Sequence, residues 1–147
     1  MSVPPNQPCD QPGKHSGDPS EADAPPIRIK VCGVRDAEGA RACLEAGVDL
    51  VGFNFVPTSR RRVSLEQALA LTPLLGRIAR VGVFCNQPLE QVLELARVLA
   101  LEAVQLHGQE PPAYCREVTA AFPVIKAMAV DEAFSPDQLE PYVPWVR

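Results

Sequence analysis

The chain has 147 residues, of which 46% are apolar, so it holds one ordinary domain with enough material for a sizeable core. Fourteen Lys and Arg stand against 18 Asp and Glu, for a net charge of −4. That balance excludes the basic footprint of a nucleic-acid binder and is too mild and mixed for an acidic interaction tail.

Residues 1–26 are rich in Pro, Ser, Asp, Gln and Gly and nearly free of large apolar side chains. Such a segment cannot bury enough surface to offset its ordering entropy, so it is expected to be a disordered tail. From Ile27 onward, short apolar runs alternate with helical patterns. The first strand is expected over Ile27–Cys32. Asp36 then caps a helix running to about Ala46, which Gly47 ends. A second strand follows over Leu50–Val56. Ser64 and Gln67 form a capping box that opens a helix to about Leu75. Arg80–Phe84 is the third strand. Pro88 sits where a first helical turn tolerates it, and Leu89, Val92, Leu93, Ala96 and Leu99 follow at helical spacing. Ala103–Leu106 is the fourth strand. Pro111 and Pro112 open a helix whose Tyr114, Cys115, Val118 and Phe122 share a face. Val124–Met128 is the fifth strand, and Ser135, Pro136 and Gln138 mark the start of one more helix.

Strands that alternate with helices predict a parallel sheet with helical crossovers. Units of roughly 20–25 residues suit a (β/α) barrel, whose usual eight units total about 250 residues. An open doubly wound sheet is the alternative, but no G-x-G-x-x-G follows the first strand, so its dinucleotide-binding form lacks support. The five cysteines are Cys9, Cys32, Cys43, Cys85 and Cys115. An odd number without C-x-x-C spacing predicts reduced thiols rather than a disulfide framework or a zinc site. No apolar run reaches membrane-spanning length, and the N-terminus has neither a signal peptide's basic start and apolar stretch nor a transit peptide's arginines. A cytoplasmic protein with no membrane contact is the default expectation.

In a barrel, catalytic groups gather at the C-terminal ends of strands. Strand one ends in Lys30-Val31-Cys32-Gly33, with Lys30 and Cys32 on one face, an arrangement in which an ammonium can favour a thiolate. Strand two leads into Ser59-Arg60-Arg61-Arg62, which suggests an anion site, since a guanidinium grips a carboxylate or phosphate through two parallel hydrogen bonds. Strand four ends in Gln105-Leu106-His107-Gly108, and the only other histidine is His15 in the tail. Each group also has a plainer reading. Lys30 can extend to solvent from the barrel mouth, the arginines can form a solvated loop, Gln105 can fill polar space and His107 can be structural. Cys43, Cys85 and Cys115 read as buried fillers. Collected on one rim, these groups suggest proton transfer on an anionic small molecule, without metal-ligand density.

The elements Lys30-Val31-Cys32-Gly33-Val34, Gly52-Phe53-Asn54-Phe55, Ser59-Arg60-Arg61-Arg62-Val63-Ser64, Arg80-Val81-Gly82-Val83-Phe84, Val104-Gln105-Leu106-His107-Gly108 and Val124-Ile125-Lys126-Ala127 occur in this order. From about Ile27 to the last residue the chain resembles the phosphoribosylanthranilate isomerase family. The resemblance implies an eight-unit TIM barrel, of which about five units are present. It also implies an Amadori rearrangement in tryptophan biosynthesis with no metal or organic cofactor. It makes Cys32 the general base, gives Arg61 the anthranilate carboxylate (Arg60 and Arg62 flank it), and places Lys30, Gln105 and His107 at the substrate.

The family's general acid is an Asp at the end of a sixth strand, which these residues do not include; nor do they include the later glycine-rich phosphate loops. Asp131 is the nearest substitute carboxylate. The expectation is therefore a partial barrel, inactive alone, with unpaired edges at its first and fifth strands and a possible missing C-terminal half as partner. Other phosphosugar barrels and a non-catalytic half-barrel are the competing readings.

Overall fold

The computed structural model describes residues 26–146. Apart from Pro26, the expected disordered tail lies outside them. Five strands alternate with helices: β1 Lys30–Cys32, α1 Ala37–Glu45, β2 Leu50–Asn54, α2 Leu65–Leu71, β3 Ala79–Phe84, α3 Leu89–Val98, β4 Ala103–Leu106, α4 Pro112–Thr119 and β5 Val124–Lys126. All neighbours pair in parallel, and the spatial order is β1-β2-β3-β4-β5. A doubly wound sheet reverses its order midway. The strictly sequential order seen here is that of a barrel wall, so the doubly wound alternative falls.

Local chemistry explains the boundaries. The Asp36 carboxylate accepts the Gly39 N–H at the start of α1, and the Ser64–Gln67 box is complete in both directions. The expected long second helix tightens into a 3-10 turn over Thr72–Leu75, where Pro73 lacks an N–H to donate. Pro88 is the residue flanking α3 rather than part of it. The last expected helix is a run of 3-10 turns over Pro136–Trp145, because Pro141 and Pro144 interrupt any α-helical ladder. β1, β2 and β5 are shorter than expected. The two outer strands have a single neighbour each, so fewer residues find ladder partners.

The face of the sheet toward the helices carries Val51, Phe53, Phe84, Val104, Leu106 and Val124, packed with Ala40, Leu75, Val92, Ala96, Cys115 and Val118. Burial raises the thiol pKa of Cys43 and Cys115, as befits inert fillers. Cys85 departs from that expectation: it is half-exposed and lines a cavity at the strand ends. Among the described residues no helix is long and apolar enough to cross a membrane.

Candidate functional site

Register decides which side chains share a surface. Cys32 pairs with Gly52, Gly52 with Val81, and Val83 with Gln105. Paired residues of parallel strands point to the same side, and side chains alternate along each strand. Lys30, Cys32, Gly52, Asn54 and Gln105 therefore occupy the face opposite the helices. Cys32 ends β1 and His107 directly follows β4, so both lie at the C-terminal end of the sheet. They are three strand spacings apart, roughly 14 Å along a flat sheet and less across a curved one.

The thiol and the ammonium converge over one glycine. A Cβ built on Gly52 would stand 3.0 Å from the Cys32 Sγ and 3.0 Å from the Lys30 Nζ. The absence of a side chain at Gly52 is what leaves room for both groups. Arg61 completes the cluster. Its Nη1 donates to the Cys32 carbonyl at 3.0 Å, and its aliphatic stem lies on Gly33, where a Cβ would come within 2.9 Å of the Arg61 Cδ. Gly33 has φ +83°, a left-handed conformation that glycine adopts without strain.

The loop that delivers Arg61 is shaped by buried Asn54. Its Nδ2 donates to the Ser59 Oγ at 3.1 Å and its Oδ1 accepts the Val56 N–H at 2.9 Å. The Ser59 Oγ in turn accepts the Arg61 N–H at 3.1 Å. The flanking arginines go elsewhere: the Arg60 carbonyl accepts from Arg35, and Arg62 lines a cavity beside Gln87 and Gln91.

Two cavities open near these groups. One, of about 500 Å³, has Cys32, Gly33 and Arg61 on one wall and the α1 residues Ala42 and Cys43 on the other. The second, of about 590 Å³, holds His107 with Cys85, Asn86, Gln109, Met128 and Tyr142. The structure thus brings Lys30, Cys32 and Arg61 together. It sets His107 in a separate cavity, and Gln105 lies on the shared face, lining neither. Asp131 is exposed in a turn, its carboxylate accepting the Ala133 N–H.

A buried ion pair went unnoticed in the sequence. Lys126 lies on the helix side of β5, and its Nζ meets the Glu110 carboxylate at 3.0 Å, with side-chain exposures of 4% and 2%. Burial alone would raise the Glu110 pKa. Hydrogen bonds from the Asn86 amide, its own amide and Lys126, together with the lysine's charge, outweigh that and hold it below the ordinary value. The available signal was a lysine at a strand terminus and a glutamate two residues past Gly108. Among the described residues no cluster of three or more His, Cys, Asp and Glu side chains could hold a metal ion.

Residues 29–142 match the family described as N-(5'phosphoribosyl)anthranilate (PRA) isomerase. The chain belongs to this family. It is 43% identical to the N-(5'-phosphoribosyl)anthranilate isomerase of Thermotoga maritima over 105 residues, covering 71% of this chain and 51% of that protein. The Moorella thermoacetica protein of the same description is 43% identical over 117 residues, 79% of this chain and 51% of its own length. Among solved structures, monomers of the dimeric Thermotoga maritima enzyme superpose with a TM-score of 0.76 at 38% identity, over 81% of this chain and 62% of that one. A phosphoribosylanthranilate isomerase in complex with reduced 1-(o-carboxyphenylamino)-1-deoxyribulose 5-phosphate superposes with a TM-score of 0.70 at 35% identity, over 82% and 72%. The five-stranded sheet is therefore part of this family's TIM barrel, and the chain spans about half the length of the curated relatives it matches.

Proposed function

We propose that these residues form the base-bearing half of a phosphoribosylanthranilate isomerase mouth. The reaction converts N-(5-phosphoribosyl)anthranilate to 1-(2-carboxyphenylamino)-1-deoxyribulose 5-phosphate by an Amadori rearrangement, without metal or organic cofactor. The observation that carries this reading is the meeting of the Cys32 Sγ and the Lys30 Nζ over Gly52, with the Arg61 guanidinium on the same backbone.

The chemistry needs these groups. Ring opening, with a proton delivered to the departing ring oxygen, leaves an iminium next to C2. Cys32 removes the C2 proton, and the C–H electron pair moves into a C1–C2 double bond, neutralising the iminium to an enolamine. Loss of the C2 hydroxyl proton and protonation of C1 then give the ketone. Lys30 stands beside the base, Arg61 grips the anthranilate carboxylate through guanidinium N–H groups that Cys32 leaves unused, and Gln105 and His107 line the substrate. The acid for ring opening is not among these groups. Glu110 is buried and ion-paired, and Asp131 points into its own turn. Turnover therefore calls for a carboxylic acid other than these two. Four free thiols among the described residues support a reducing, cytoplasmic setting.

The test mixes the purified 147-residue chain with a separately produced C-terminal half of the Thermotoga maritima enzyme. The expected result is isomerisation only in the mixture, lowered by about 10²–10⁴-fold in Cys32→Ser. Activity indifferent to Cys32 would overturn the assignment of the base. No activity with any complementing half would favour a non-catalytic half-barrel.

A further inference from the structure

The buried pair between β4 and β5 takes no part in the chemistry proposed above, yet its hydrogen bonds converge on the backbone around His107. Glu110 accepts the Asn86 N–H at 2.8 Å and the Gly108 N–H at 3.0 Å. Lys126 donates to the Gly108 carbonyl at 2.5 Å, to Glu110 at 3.0 Å and to the Ala127 carbonyl at 3.1 Å. The residue after His107 is thus fastened at both its N–H and its C=O. On the other side, the His107 N–H donates to the Phe84 carbonyl at 2.8 Å. The loop after β3 is tied in as well: the Asn86 side chain accepts the Gln109 N–H at 2.7 Å, and a Cβ on Gly108 would run into that same side chain.

We infer that Glu110 and Lys126 are positioning residues that lock the ends of β3, β4 and β5 into one arc and so present the His107 imidazole from a fixed backbone. The inference rests on reading His107 as a substrate-lining group. Lys126 borders the cavity that holds His107, but its ammonium has no donor left for a substrate. An ammonium has three donors, all three are taken by the protein, and both side chains are almost wholly buried. Stability alone does not call for the pair, because an apolar pair of similar volume stabilises a core as well or better. What an apolar pair cannot supply is directional bonding to three separate strand ends.

The test is nuclear magnetic resonance on the 147-residue chain carrying His15→Gln, so that His107 gives the only imidazole signals. The double variant Glu110→Gln/Lys126→Met removes both charges at similar volume, and carries the test even where Lys126→Met alone fails to fold. The expected result is loss of amide-exchange protection by about tenfold or more at Asn86 and Gly108, the consequence of losing hydrogen bonds to a charged acceptor. The His107 ring signals should shift or broaden with them, while Val51 and Phe53 amides keep their protection. Unchanged ring signals and protection would overturn the inference, and so would an equal loss of protection throughout β1–β3, which would mark a purely structural pair. Adding reduced 1-(o-carboxyphenylamino)-1-deoxyribulose 5-phosphate to the His15→Gln chain separates the two readings. Failure to move the Cys32, Arg61 and His107 signals would count against the isomerase assignment, and the exchange data would still decide the positioning role.

Discussion

Arg61, beside the end of β1, keeps bonding capacity in reserve; in the Glu110–Lys126 pair beside the ends of β4 and β5 that capacity is spent inside the protein. Arg61 is exposed and uses one guanidinium nitrogen on a backbone carbonyl, leaving most of its five donors for a ligand. Lys126 has no donor left, and Glu110 already accepts two backbone N–H groups and an ammonium. Within one sheet, then, the same residue classes divide into groups that can meet a substrate and groups that hold the frame. Exposure and unused donors, not charge itself, mark the difference.

The largest expected effect comes from breaking the frame. Lys126→Met leaves a carboxylate buried without its cation and should cost about 3–5 kcal/mol, read from the urea midpoint. Glu110→Gln/Lys126→Met should recover most of that loss. If the single and double variants lose equally, the two side chains are not coupled.

Acid and base probe the same region from opposite directions. A carboxyl whose folded pKa is depressed, as at Glu110, stabilises the fold above the ordinary value of 4.5, and that contribution disappears as the pH falls through the folded value. Stability should therefore drop on acidification below about pH 4.5, and Glu110→Gln should flatten that limb. Tyr114 does the reverse. Burial, and then the Glu110 charge, push its phenol up to about 12 from 10.0, so its contribution is intact below pH 10.0 and fades as the pH rises toward about 12. Tyr114→Phe should remove the alkaline limb in a denaturation series across that range.

A smaller and local effect is expected at the other end of the sheet. Gly52→Ala places a methyl 3.0 Å from the Cys32 Sγ and 3.3 Å from its Cα. The lysine tip can swing aside and the sulfur can rotate about χ1, but the Cys32 Cα cannot give way without moving its backbone, so the cost should be about 1 kcal/mol. Alkylation followed residue by residue should change at Cys32 and not at Cys85, which lies in the cavity beside His107. A change at both would mean that the two ends are less independent than their bonding suggests.

What was legible in the sequence follows from which constraints are local. β4 came out as Ala103–Leu106, residue for residue, and the Ser64–Gln67 box formed as expected, because strand alternation and capping are written within a few positions. The shared face of Lys30 and Cys32 needed only period two. β1 shrank from Ile27–Cys32 to Lys30–Cys32 because an outer strand pairs on one side, which is a property of the assembled sheet. The Glu110–Lys126 pair was hidden for the same reason. All of α4 separates the two residues, and Lys126 turns toward the helices only once Leu106 is known to be its partner. The resemblance made the choice of Arg61 over its neighbours; what the triplet of arginines does not disclose is the loop, folded by Asn54 and Ser59, that sets Arg61 beside Cys32.

That choice gives the gentlest perturbation. Arg61→Lys sits on an exposed side chain and should change stability by no more than about 0.5 kcal/mol. An ammonium, however, is a point charge: it cannot hold the Cys32 carbonyl and also offer a carboxylate two parallel N–H groups. Losing one charge-assisted hydrogen bond should weaken binding of reduced 1-(o-carboxyphenylamino)-1-deoxyribulose 5-phosphate about tenfold. Calorimetric titration reads this directly, with Arg60→Lys and Arg62→Lys as controls that keep the parent affinity. If Arg62→Lys weakened binding and Arg61→Lys did not, the clamp would belong one position further along, and the Arg61 contact with Cys32 would be a brace for the β1 edge.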